Sequence, residues 1–161
     1  MAQLFLKPQA QVLGVARKDL LDPMAGALQC LGLKRAVVVH GAGGLDEASL
    51  AGPNDLRLIE AGAIRSLQLS SEELGLVTAD LEALKGGDLQ CNQTILQQVL
   101  QGCGEPAQRD VVALNTALVL WAAEEYEQPN AKKSQLRKLS VQQLIDLSVD
   151  NLRYFADNRG R

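Results

Sequence analysis

Apolar positions along the chain follow two rhythms. Residues 12–15, Val-Leu-Gly-Val, form a short apolar run that predicts a strand. From residue 20 the spacing changes. Leu20, Leu21, Met24, Ala25, Leu28 and Leu31 recur at three- and four-residue intervals, the stripe of an amphipathic helix packed on a core. Asp19 and Asp22 fall where that helix would begin, beside its positive dipole end, and Gly32 is placed to close it in a left-handed conformation. The β-branched run at residues 37–39 then predicts a strand buried on both faces. Strand, helix and strand at this spacing imply a βαβ unit with parallel strands and a right-handed crossover. Residues 56–59 and 63–69 flank Ala61 and Gly62 and predict a hairpin, so the sheet is mixed. Its expected core is Val12, Val15, Val37, Val38, Val39, Ile59 and Ile64.

The second half reads as helices and loops. Ser70-Ser-Glu-Glu73 has a capping residue and early acids, which predicts a helix start. Asp88, after Gly86 and Gly87, is placed to cap a helix bearing Asn92, Ile95, Leu96 and Val99; a cleft-lining loop is the other reading of the same residues. Gly102 and Gly104 break the chain, and Pro106 suits the first turn of the next helix. Residues 111–123 are nearly all apolar and include Trp121, which predicts a central helix buried on most sides. Asn115 inside it needs hydrogen-bond partners, so a structural role is expected for it. Residues 128–134 read as a polar linker. Ser140 and Gln143 make a capping box, and Val141, Leu144, Ile145, Ser148, Val149 and Leu152 form one stripe. An amphipathic terminal helix to about Ala156, docked on the body or on a partner, is expected. The chain thus divides into an α/β body, residues 1–127, and a linker with a terminal helix, residues 128–161.

Composition narrows the function classes. At 161 residues and 47% hydrophobic the chain can bury a core, and no apolar run is long enough for a membrane helix. The start, Met1-Ala-Gln-Leu-Phe-Leu-Lys-Pro, carries no basic region before an apolar one, so no signal peptide is expected. Cys30, Cys91 and Cys103 lack metal-site or disulfide spacing, which points to reduced thiols and a cytoplasmic location. With one histidine, His40, neither a histidine-ligated metal cluster nor a Ser-His-Asp triad is expected. Residues 128–161 carry seven Lys or Arg against three Asp, a net of +4, leaving −7 on residues 1–127 of the total of −3. An acidic body with few aromatics is poor material for a nucleic-acid face.

Candidate chemistry concentrates after the strand at residues 37–39. Gly41, Gly43 and Gly44 are followed by the adjacent carboxylates Asp46 and Glu47. Glycines let a backbone turn sharply and approach a ligand, and open α/β sheets bind ligands at the carboxyl ends of strands. On an irregular loop both carboxylates can face one cation. Paired hard oxygens beside a phosphate-sized space suit Mg²⁺, while the same acids also fit a solvated surface loop. A dinucleotide loop would run directly into a helix; Gly52-Pro53-Asn54 interrupts this one.

The ordered motifs resemble the anthranilate phosphoribosyltransferase family. His-Gly-x-Gly-Gly-Leu-Asp-Glu47 followed by Ser49-Leu-x-Gly-Pro53 matches its pattern. Upstream, Pro8, Gln11, Gly14 and Val15 resemble its Pro-x-x-Gln-x-x-Gly-Val. Downstream come Leu84-Lys-Gly-Gly-Asp88, Asn92, Leu100-x-Gly-x-Gly104, Arg109-Asp110 and Leu114-Asn115 in the family's order. The resemblance covers residues 7 to about 125. It departs from the family near Ser70, where the family's turn carries a proline.

The resemblance implies a phosphoribosyltransferase/nucleoside phosphorylase-like α/β domain of the glycosyltransferase 3 type. It implies transfer of a phosphoribosyl group from phosphoribosyl pyrophosphate to anthranilate, a step of tryptophan biosynthesis. It assigns Mg²⁺ binding to Asp46 and Glu47, and substrate contact to the Gly41, Gly43 and Gly44 turn; a catalytic residue stays unassigned. The family's Gly-Thr-Gly-Gly-Asp phosphate loop, its Lys-His-Gly-Asn segment, its anthranilate-binding arginine helix and its N-terminal helical domain have no counterpart here. The chain therefore reads as the C-terminal part of such an enzyme, inactive without a complementary N-terminal half. A non-catalytic binding or regulatory protein on the same fold is an alternative, and a relative with another substrate, such as a nucleoside phosphorylase or a nucleic-acid-binding homologue, is a third. Expected partners are phosphoribosyl pyrophosphate and anthranilate, with a complementary half or a second copy through the terminal helix; no membrane or nucleic-acid partner is expected.

Overall fold

A computed structural model describes Pro8 and residues 10–123. The linker and terminal helix expected after residue 127 lie outside the described residues. Four strands, β1 (Ala10–Gly14), β2 (Arg35–His40), β3 (Asn54–Glu60) and β4 (Ala63–Leu69), form one sheet in the order β1-β2-β3-β4. β1 runs parallel to β2, and the other two pairings are antiparallel. The expected mixed sheet is present. β1 begins and ends earlier than its apolar run, although the Val15 amide still bonds to the Val39 carbonyl.

The alternation of β2 explains the layering. Ala36 and Val38 face helix α1 (Leu21–Cys30), where they pack with Val15, Ile59 and the buried Leu21, Ala25 and Leu28. Val37 and Val39 face the other way, onto Leu56, Leu58 and helix α3 (Pro106–Ala123) through Leu114, Ala117 and Leu118. Val37, Val38 and Val39 are all buried, and each such side chain removed from water contributes roughly 1.5–3 kcal/mol. Helix α1 crosses from β1 to β2 and closes at Gly32, where φ is 77° and the Leu33 amide reaches the Leu28 carbonyl. Among the described residues no helix is long and apolar enough to cross a membrane.

The structure corrects several expectations. Ile64 is 37% exposed and Val12 only half-buried, because both sit on edge strands. Leu20 and Leu31 lie at the ends of the α1 stripe and are exposed. The helix expected from Ser70 is a single 3₁₀ turn, Glu72–Leu74, although Ser70 and Glu73 make the reciprocal bonds of a capping box. Helix α3 is buried along one side; Val112 and Val119 on the other are exposed. Helix α2 (Leu89–Leu100) is capped by Asp88, whose carboxylate accepts from the Cys91 amide, and buries only Val99.

The two-residue turn between β3 and β4 has positive φ at Ala61 and Gly62, the primed turn that matches strand twist.

Candidate functional site

The β2–β3 connection leaves the sheet at His40, whose Nδ1 lies 2.8 Å from the Val15 carbonyl. Gly41 starts a tight turn, in which its amide donates to Leu45 and its carbonyl accepts from Gly44. Gly43 and Gly44 have φ of 87° and 82°, conformations that side-chain-bearing residues rarely adopt. The turn is exposed at Gly43 and Gly44, and a Cβ on Gly43 would meet the Leu81 side chain at 2.6 Å.

Asp46 and Glu47 follow, both exposed and outside any helix or strand. Their backbone is nonetheless fixed at four consecutive residues. The Asp46 carbonyl lies against Gly14, where any Cβ would collide with it. The Glu47 carbonyl lies against Gly41 in the same way. Asn115 of α3 grips Ala48 twice: its Oδ1 accepts from the Ala48 amide at 3.0 Å and its Nδ2 donates to the Ala48 carbonyl at 2.8 Å. Asn54 at the start of β3 does the same to Ser49, at 2.8 and 3.0 Å. Asn54 is fully buried and also reaches Ala42, Gly52 and Leu69. Its position explains this: Asn54, Leu56 and Leu58 share the inward face of β3, where a polar side chain must find partners.

The two carboxylates are thus held on a rigid loop and left unengaged. Among the described residues neither makes an ion pair. No third His, Cys, Asp or Glu joins them to complete a group of three among those residues. Two free hard oxygen donors without a cage do not make a zinc site. They fit Mg²⁺, which keeps waters and takes its other ligands from substrate phosphate.

Beside the loop lies an open cleft of about 600 Å³. Leu45, Glu47 and Ala48 form one wall, Leu81 and Leu84 a second, and Val112, Asn115, Thr116 and Val119 of α3 a third. Glu47 therefore borders a largely apolar space; Asp46 and the three turn glycines do not line it. Arg109, in the first turns of α3, points back to the Gly102 carbonyl and takes no part in the loop.

Two positions escaped the sequence reading. Gly14 was one term of a motif, and nothing local marks it as the seat of Asp46. Asn54 was only part of a chain break, though its place in the β3 alternation could have revealed it.

The sequence model of the glycosyl transferase family, a/b domain, matches residues 5–142. An anthranilate phosphoribosyltransferase of Parasynechococcus marenigrum (strain WH8102) is 92% identical over 118 residues, covering 73% of this chain and 34% of the relative. One from Synechococcus sp. (strain CC9311) is 69% identical over the same coverage. The chain spans about a third of the length of the curated relatives it matches. The crystal structure of anthranilate phosphoribosyltransferase from Thermus thermophilus is 34% identical with a TM-score of 0.63, covering 92% of this chain and 43% of that one. The Saccharomyces cerevisiae enzyme in complex with PRPP and Mg has a TM-score of 0.60 at 22% identity, covering 92% and 41%, a likeness of fold.

Proposed function

The chain belongs to the glycosyl transferase family, a/b domain, and from that we infer that its Asp46–Glu47 loop supplies the metal and diphosphate end of an anthranilate phosphoribosyltransferase site. The reaction is the tryptophan-biosynthetic transfer of phosphoribosyl from phosphoribosyl pyrophosphate to anthranilate. A C–N bond forms at the ribose carbon, the C–O bond to diphosphate breaks, and diphosphate leaves with the bonding pair. The observation that carries this reading is the unpaired carboxylate pair on a backbone fixed at four successive residues. Relatives of matching name, one of them 92% identical over the matched part, support it.

Each part of the loop has a task in this reading. Asp46 and Glu47 would hold Mg²⁺, which neutralises the charge that develops on the leaving diphosphate. Gly43 and Gly44 leave the exposed side of the turn free of side chains, so that phosphate oxygens can approach its backbone, while the Gly41 and Gly44 amides bond within the turn and hold its shape. Gly14, Gly41, Asn54 and Asn115 keep in place the backbone that bears the carboxylates, which limits the reorganisation the reaction requires. The cleft bordered by Glu47 gives the loop a largely apolar wall on one side. The exposed, free cysteines suit a reducing cytoplasm.

The chain spans about a third of the length of its relatives, so we propose that turnover requires the rest of that length, which a second polypeptide can be used to supply in a test. The test is a mixing experiment. The chain is combined with the N-terminal remainder of the Parasynechococcus relative, and anthranilate consumption is followed by fluorescence across a Mg²⁺ titration. The chain alone should show no transfer and the mixture should show some. Asp46→Asn should lower the mixture's rate on the order of a hundredfold, the scale expected when one preorganised charge interaction is lost. Transfer by the chain alone, or a mixture indifferent to Asp46→Asn, would contradict the proposal.

A further inference from the structure

We propose that Asn115 is the positioning residue of the carboxylate pair: it fixes the metal-binding geometry of Asp46 and Glu47 by gripping the peptide next to them. This rests on the reading of those two acids as metal ligands. Asn115 stands on α3, far from the loop in sequence, yet its amide forms both bonds with Ala48 and donates a third to the Val111 carbonyl of its own helix. That third bond orients the amide, because Oδ1 and Nδ2 are then assigned to opposite sides. The side chain thereby completes the Ala48 peptide as a neighbouring strand would, at a place where no strand runs.

The consequence for Glu47 is direct. Its carboxylate hangs from the residue whose following peptide is held by α3 and whose own carbonyl is held against Gly41. Without Asn115 the Ala48 amide and carbonyl would need other partners, and the simplest rearrangement is a rotation of the 47–48 peptide toward the cleft. Such a rotation swings Glu47 while leaving Asp46 seated on Gly14, so the spacing of the two carboxylates changes. Asn115 also borders the cleft, which makes it the link between whatever occupies that space and the acid loop.

A matched control exists within the same chain. Asn92 grips Gly87 in the same two-bond manner, at 2.9 and 3.0 Å, in the turn before α2. Asn115→Leu and Asn92→Leu therefore remove chemically equivalent clamps, one beside the acids and one on a separate turn. Mn²⁺ serves as the probe because it shares the oxygen-ligand preference of Mg²⁺ and is read by water-proton relaxation.

The wild-type chain should bind Mn²⁺, and Asp46→Asn with Glu47→Gln should abolish that binding. Asn115→Leu should then raise the Mn²⁺ dissociation constant about tenfold, the low end of what loss of an outer-shell partner costs. Asn92→Leu should leave it within about twofold of wild type, although its loop also loosens. Asn115→Ser, which truncates the amide and admits water to Ala48, should fall between wild type and Asn115→Leu and covers the case in which the leucine variant does not fold. Equal Mn²⁺ affinities for the Asn115 and Asn92 variants would show Asn115 to be a fold clamp only and would overturn the proposal. Absence of Mn²⁺ binding by the wild type, or indifference to the double acid substitution, would instead remove the reading of Asp46 and Glu47 on which it rests.

Discussion

Gly14 and Gly26 show how differently two glycines serve one chain. A Cβ at Gly14 would collide with the Asp46 carbonyl, which belongs to backbone and cannot swing aside. At Gly26, in the middle of α1, a Cβ would meet nothing within 4 Å. Gly14→Ala should therefore push the acid loop off the end of β1 and destabilise the chain by about 1–3 kcal/mol, the usual cost of overpacking. Gly26→Ala should stabilise it by roughly 0.5–1 kcal/mol, because glycine in a helix interior loses more backbone freedom on folding than alanine. Urea unfolding of the two variants checks both signs. If Gly14→Ala proves as stable as Gly26→Ala, the loop is softer than its contacts imply.

At the scale of elements, α1 and the 3₁₀ turn before it, Lys18–Leu20, are tied to β3 by charge as well as by apolar packing. Lys18 lies 2.7 Å from Asp55, and Arg57 grips Asp22 with two nitrogens. The Lys18 hydrogen bond holds the Asp55 carboxyl below the usual carboxylate range, opposed by partial desolvation and aided by the nearby charges of Lys18 and Arg57. The Arg57 hydrogen bonds do the same for Asp22. A carboxyl whose folded-state pKa is depressed adds stability above its unfolded value of about 4 and loses it as the pH falls through the folded value. The melting temperature of the wild type should thus hold from about pH 7 to 5 and drop below about pH 4. Asp55→Asn should melt lower at pH 7, and the gap between the two should narrow as the pH falls below the unfolded carboxyl value of about 4; a gap that does not narrow in acid would contradict this origin. How much of these elements could be read from the sequence follows from what each depends on. Strand β2 and helix α1 were legible because burial on two faces, or on one stripe, leaves a periodic trace. The cap at Asp88 was legible because it is local. Exposure of Val112 and Val119 was not, since their apolar character fits a buried helix equally well. Nor was the grip of Asn115 on Ala48, which joins residues 67 positions apart. The acid loop was found from its glycines and acids; the residues that hold it still were reached only through the fold.

The whole molecule presents apolar side chains that its own described residues leave open. Leu89 is 85% exposed, Leu96 59% and Val119 52%. They lie on α2 and α3, and Val119 lines the cleft beside Glu47. Isolated exposed leucines are ordinary, but here they sit on two consecutive helices of a chain that spans a third of its relatives' length. If the complementary polypeptide covers these faces, Leu96→Glu and Val119→Glu must affect the complex far more than the chain. In the chain alone each replaces an exposed side chain, so the double variant should change unfolding stability by no more than about 1 kcal/mol. In the complex each glutamate would enter an interface without a partner, and an unpaired buried charge costs several kcal/mol. Complementation of transferase activity should then need upwards of about a thousandfold more of the second polypeptide, since every 1.4 kcal/mol is a factor of ten in affinity. A titration of the remainder of the relative against wild type and double variant, read by diphosphate release, measures that ratio. Equal half-saturation for the two would mean that α2 and the outer side of α3 stay in solvent in the assembled enzyme, and would place the joining surface elsewhere on the chain.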